Sequence, residues 1–218
     1  MFNTKKYILV IVIVLVILIF MRLFWRKPSD PDILILPDFY SPKQFNDIMD
    51  IIDKTSGELK YDERHSQRKT YMYKNNNQYF TTLSYLLNTQ SLRDTLERVQ
   101  SKSSRPNEFP IEYRRYDSSS KGMGWHQDKP IFNGVYYECV LTLDNTSDSI
   151  FEYIQDNEVK RLATRPNTLV CVTPDSIQHR VTPCRKGKRD IIKFVATFVN
   201  NTTNQNYMDE IHTFSKGI

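Results

Sequence analysis

The C-terminal half of the chain constrains the fold most strongly. Between Ile111 and Val199 lie seven short runs rich in β-branched and aromatic residues: IEYRRY, GMGWHQD, VYYECVLTL, IFEYI, EVKRLA, TLVCVT and DIIKFVATFV. Turn residues separate them, with no helical pattern between. Parallel strands need long crossover connections, which are missing here, so the pattern predicts an antiparallel sandwich or barrel. Asp156 and Asn157, between two of the runs, predict a hairpin turn. Upstream, ILILP at 33–37 reads as a strand ended by proline. Ser41 and Pro42 open a helix whose Phe45, Ile48, Met49, Ile51 and Ile52 recur at helical spacing. A second helix is predicted over about 79–100, carrying Phe80, Leu83, Leu86, Leu87, Leu92 and Leu96 and broken near Asn88. The expectation is one mostly β domain over 33–200, with helices at its start and a tail over 201–218.

The composition supports a packed domain. Hydrophobic residues make up 39% and aromatic residues 12% of the 218, with only six Gly and ten Pro, which excludes collagenous and low-complexity chains. Cys139, Cys171 and Cys184 are too few for a disulfide framework and read as buried thiols. The net charge of +5 suggests nucleic acid at first sight. Four of those five charges, however, fall in residues 1–31, where Lys5, Lys6, Arg22, Arg26 and Lys27 face Asp30 alone. The nearly neutral remainder has no compositional claim on a phosphate backbone, and no nucleic acid is expected.

Residues 7–25, YILVIVIVLVILIFMRLFW, interrupt an apolar run only at Arg22. As a helix they would reach about 28 Å, close to the hydrocarbon thickness of a bilayer, and no small-x-small cleavage site follows. An uncleaved single-span anchor over 1–25 is therefore expected, joined by a polar linker over 26–32. The basic flanks weakly favour a cytosolic domain. The N-x-S/T sequons at Asn145, Asn200 and Asn201 favour a lumenal one, and the two signals disagree.

The chemistry rests on four residues. His126 and Asp128 lie two apart in a strand-like run, so their side chains share a face. A His-x-acid pair alone is weak, since such pairs arise readily by chance. His179 follows 53 residues later, after a strand and a turn, and Arg189 ten residues beyond that. Two imidazoles and one carboxylate form the facial triad suited to non-haem Fe(II), with positions left for a co-substrate and oxygen; a three-ligand zinc centre is the minor alternative. An arginine one strand away can grip the far carboxylate of a dicarboxylic acid. His65 and His212 lack such partners and read as structural. By strand alternation Met123, Trp125 and Gln127 point away from the ligand face and read as packing, and Lys193 reads as a solvated strand lysine despite sharing the parity of Arg189.

These residues resemble the Fe(II)- and 2-oxoglutarate-dependent dioxygenases, in their prolyl 4-hydroxylase-like branch. The likeness runs over most of 33–199 and is carried by ILILPDFYSP, YRRYDSSSKGMGWHQD and QHRVTPCRKGKRDIIKF. It implies a double-stranded β-helix (jelly roll) with His126, Asp128 and His179 as iron ligands. It further implies Arg189 on the C5 carboxylate of 2-oxoglutarate, with Tyr116 also touching that co-substrate. The activity implied is hydroxylation of a protein or peptide side chain by O2, with release of succinate and CO2 and with ascorbate as reductant. A small-molecule or nucleic-acid oxygenase, or a non-catalytic membrane-tethered module, are the alternatives. The second arginine of the nucleic-acid branch is replaced by Val195. Ile191 stands where many members carry Ser or Thr, and SDSIFEY at 147–153 replaces a Gly-rich stretch.

Overall fold

The computed structural model describes residues 32–62 and 68–215. The expected span over 7–25 and His65 lie outside them, and among the described residues no helix is long and apolar enough to cross a membrane. In chain order the elements are β1 (Ile33–Leu36), α1 (Pro42–Thr55), a 3-10 turn (Ser56–Glu58), β2 (Lys60–Asp62), β3 (Arg68–Tyr73), α2 (Phe80–Leu87), α3 (Gln90–Gln100), β4 (Ser104–Arg105), β5 (Ile111–Tyr116), β6 (Met123–His126), β7 (Phe132–Asn133), β8 (Tyr137–Asn145), β9 (Phe151–Gln155), β10 (Glu158–Leu162), β11 (Leu169–Val172), β12 (His179–Val181), β13 (Arg189–Phe198), β14 (Thr202–Thr203) and α4 (Gln205–Ser215).

Local chemistry explains the element ends. Ser41 accepts from the Gln44 amide while the Gln44 side chain accepts from the Ser41 amide, a capping box that starts α1, and Pro42 occupies the first turn. The predicted break near Asn88 falls between α2 and α3, where Thr89 caps the new helix by accepting from Leu92 N at 3.2 Å. Asp156 and Asn157 both have positive φ, 53° and 61°, the backbone that a two-residue hairpin between β9 and β10 requires. The strands β2 and β3, which extend the sheet past β5, carry no apolar pattern that predicts them. Nor is α4 predicted, whose Tyr207 and Ile211 pack on Phe109, Ile131, Phe132, Tyr136 and Val195.

The large sheet runs β1-β11-β8-β13-β5-β3-β2, with β4 beside β13, and the smaller runs β10-β9-β12-β6. All pairings are antiparallel. These antiparallel sheets are what the strand runs predict, and they are consistent with the jelly roll that the resemblance implies. The central strands β11, β8 and β13 of the large sheet are largely buried on both faces. Tyr137, Cys139, Leu141 and Leu143 of β8 and Ile192, Phe194, Ala196 and Phe198 of β13 join the helices in the main apolar core. The alternate residues Glu138, Val140, Arg189, Ile191 and Lys193 line a cavity toward the small sheet. Phe151, Val170 and Val172 close one side of it, with Ile177 packed against them. The three cysteines are free and buried, as expected.

Candidate functional site

His126 ends β6 and His179 begins β12, and the two are Cα partners in the ladder. Each imidazole turns Nδ1 onto a carbonyl two residues back, Gly124 O at 2.8 Å for His126 and Ile177 O at 3.2 Å for His179. A carbonyl only accepts, so both Nδ1 atoms hold the proton and both Nε2 lone pairs face outward from the ring free to ligate. Those Nε2 atoms meet Asp128, 3.9 Å from Oδ1 for His126 and 3.4 Å from Oδ2 for His179. One donor atom from each of the three lies within 4.8 Å of the others.

The electrostatics suit ligation. Burial lowers the His179 imidazole despite the opposing pull of Asp128, which keeps it neutral. Burial alone would raise Asp128, but Lys193, His179, His126 and Arg114 outweigh it and hold the carboxyl below its ordinary range. Two imidazoles and one carboxylate are the donor set that borderline divalent iron accepts.

Arg189 and Tyr116 line the same cavity and are Cα partners across β13 and β5. Arg189 is 3% exposed, and its Nε has no hydrogen-bond partner. A buried guanidinium with an unused donor is a site awaiting an anion. Burial opposes ionisation of Tyr116, yet Arg114, Arg68 and Arg189 together hold its phenol below the ordinary value. The carboxylate balancing this corner is Glu112, whose Oε2 lies 2.6 Å from Arg114 Nη2, 2.8 Å from Arg114 Nε and 3.8 Å from Arg68 Nη2.

Three expectations need correction. Asp128 does not share a strand with His126, because β6 stops at His126. It reaches the imidazoles from the following loop, whose backbone is tied by Asp175 N donating to Asp128 O at 3.0 Å. Met123 lines the cavity. The register of β6 on β12 shifts, pairing His126 with His179 but Met123 with Val181, so Gly124 and Trp125 on one strand face Arg180 alone on the other and the alternation inverts. Lys193 is not a solvated lysine. It reaches Asp128 Oδ1 at 3.9 Å and forms an ion pair with buried Glu138. Burial disfavours its charge, but the Glu138 and Asp128 carboxylates prevail and raise its pKa. Trp125 does face outward, under the Arg180 guanidinium at 4.7 Å from the ring centroid, and His212 is exposed on α4.

Comparison with solved structures places this architecture. The carbocyclase SnoK of nogalamycin biosynthesis, a non-haem α-ketoglutarate-dependent enzyme, superposes with a TM-score of 0.65 at 10% identity, over 87% of this chain and 88% of that one. The prolyl hydroxylase of Trichoplax adhaerens, in complex with a hypoxia-inducible-factor peptide fragment, gives 0.58 at 15% identity over 86% and 88%. A prolyl 4-hydroxylase of Pseudomonas putida gives 0.56 at 13% identity over 77% and 91%. The chain has the fold of the 2-oxoglutarate- and Fe(II)-dependent oxygenases. Prolyl hydroxylases are among the enzymes that share it. No protein-family model matches the sequence, and no curated protein matches it significantly.

Proposed function

We propose that the protein is an Fe(II)- and 2-oxoglutarate-dependent dioxygenase that hydroxylates a protein or peptide side chain, proline foremost. One observation carries this reading: the donor atoms of His126, Asp128 and His179 converge on the same cavity that holds the buried Arg189, whose Nε has no hydrogen-bond partner. The centre supplies, when iron is bound, oxidative decarboxylation of 2-oxoglutarate to succinate and CO2 coupled to C–H hydroxylation by O2, with ascorbate as reductant.

The protein's own part is placement. Gly124 O and Ile177 O hold the imidazole tautomers, Lys193 orients Asp128, and Glu112 fixes Arg114 beside Tyr116. Arg189 and Tyr116 orient the co-substrate by its C5 carboxylate. Support for a peptide substrate comes from the Trichoplax enzyme, which was captured with one. Residues 7–25 are read as a membrane tether, with the lumenal or cytosolic side left to the glycosylation state of Asn145, Asn200 and Asn201.

Arg189→Ala is expected to retain Fe(II) and to raise the 2-oxoglutarate KM by tenfold or more, on the order of one charged hydrogen bond. Full activity at low 2-oxoglutarate in that variant would show that the carboxylate anchor lies elsewhere. The test is succinate formation with Fe(II), titrated in co-substrate.

A second expected outcome concerns Gly122, which has φ +70° and sits where a Cβ would collide with the Val181 carbonyl of β12. Gly122→Ala is expected to part the two strands that carry His126 and His179. Mn(II) affinity measured by calorimetry should fall by about the 10–100-fold typical of a lost supporting shell. Unchanged affinity would show that β6 and β12 do not set the imidazole spacing.

A further inference from the structure

Cys139 on β8 and Cys171 on β11 stand opposite each other in the ladder, and their Sγ atoms are 3.1 Å apart. Both are fully buried in the main apolar core, on the helix side of the large sheet, and neither lines the cavity. A cysteine also serves as a small apolar residue, but the placement of this pair is more specific than packing needs. Thr142 N donates to Thr168 O at 2.9 Å, and the register of β8 on β11, continued by one residue, sets those two residues opposite each other. Pairs that exchange such bonds alternate with pairs that do not, so Val140 and Val170 form a bonded pair and Cys139 and Cys171 a non-bonded one. Non-bonded pairs bring their Cα atoms to about 4.5 Å, the closest approach in an antiparallel sheet and within the usual range for a disulfide. Cys184 is the contrast: it is buried too, but its Sγ meets the Lys186 and Gly187 carbonyls, at 3.5 and 3.7 Å, rather than a thiol.

We propose that Cys139 and Cys171 are a modification site, closing a cross-strand disulfide that ties β8 to β11 as the chain folds. The oxidant is a small-molecule disulfide of the glutathione type. One cysteine thiolate attacks it, forms a mixed disulfide and releases one reduced thiol. The second cysteine thiolate attacks the protein sulfur of that mixed disulfide and releases the other. Two thiol protons leave, two electrons pass to the oxidant, and the Sγ atoms close to about 2.05 Å. Burial pushes the Cys139 thiol up, and exchange needs the thiolate, so the bond forms while the strands assemble, before the core closes over them.

The bond also bears on the site. Glu138 and Val140 on β8 and Val170 and Val172 on β11 flank the pair and line the cavity from the opposite face. The disulfide therefore fixes two strands of the cavity wall from behind. Disulfides form and persist in oxidising compartments, the side of the membrane that the sequons at Asn145, Asn200 and Asn201 favour. The assignment is independent of the 2-oxoglutarate reading, since it involves no residue of the cavity.

The test is mass spectrometry of the full chain produced in eukaryotic cells and lysed in denaturant with excess N-ethylmaleimide, which labels every free thiol. Digestion without reduction should give one cross-linked peptide pair joining Cys139 to Cys171, lighter by two hydrogens than the separate peptides, with the label on Cys184 alone. Melting gives a second readout. A disulfide raises the melting temperature of a domain this size by roughly 5–15 °C. Reductant should lower that of the parent by this much and leave the double variant Cys139→Ala, Cys171→Ala unmoved. Label on both Cys139 and Cys171 would overturn the proposal, as would a bond from either to Cys184 or a parent melting temperature indifferent to reductant. The labelling needs no variant, so it stands even if the double variant fails to fold.

Discussion

Replacing His179 with alanine is expected to abolish Fe(II) binding and, with it, all succinate formation. Among the described residues His179 is one of three protein donors that converge in the cavity, and the remaining described imidazole, His212, is exposed on α4. Loss of an outer-shell partner already costs roughly 10–100-fold in metal affinity, so loss of a donor should exceed that. A second readout needs no turnover. Metal that binds the folded chain stabilises it by about 2.7 kcal/mol at a concentration of 100 Kd, so Mn(II) should raise the melting temperature of the parent and leave that of His179→Ala unmoved. His126→Ala should behave alike. If His179 were merely a packed core histidine, its variant would melt lower but keep the metal-dependent rise.

The second large effect is on stability. Glu112 is 2% exposed and is the carboxylate in ion-pair contact with both Arg68 and Arg114, each itself buried. Glu112→Gln keeps the shape and removes the charge that the buried Arg114 guanidinium contacts at 2.6 Å. Breaking a buried pair in this way costs about 3–5 kcal/mol, which in a domain of this size is a melting-point drop of roughly 10 °C. The pH dependence follows with a definite sign. Burial opposes ionisation of Glu112, but Arg114, Arg68 and Lys193 prevail and hold its pKa below the ordinary value. A carboxyl depressed on folding contributes stability above its unfolded pKa and loses it as the pH falls through the folded one. The parent should therefore lose stability on acidification more steeply than Glu112→Gln. Parallel acid profiles, or a melting point unchanged by the substitution, would show that the cluster is neutral in its contribution.

The four residues that carry the proposed chemistry were legible in the sequence because spacing encodes them. His126, Asp128, His179 and Arg189 stand at fixed offsets along the chain, and the β-rich runs between them predicted the sheet that gathers them. What could not be read was the inner lining of the cavity. Lys193 looked solvent-facing because nothing local marks its partners, since Glu138 comes from β8 and Asp128 from the loop after β6. The Glu112, Arg114 and Arg68 cluster is likewise assembled across β5 and β3, and β3 escaped prediction because its run RKTYMY is too polar to stand out. Met123 was placed on the wrong face by alternation, which one bulge reverses. Charges inside a jelly roll break the apolar pattern on which sequence reading depends, and they do so where a charged ligand would bind.

A metal at His126, Asp128 and His179 and a dicarboxylate at Arg189 would occupy one cavity. Crystals of the chain grown with Fe(II) and 2-oxoglutarate in the absence of oxygen, measured at the iron absorption edge, test both halves at once. A single anomalous peak is expected among the three side chains, with 2-oxoglutarate density reaching from it to the Arg189 guanidinium. A peak elsewhere, or an empty cavity with Arg189 still unpaired, would contradict it.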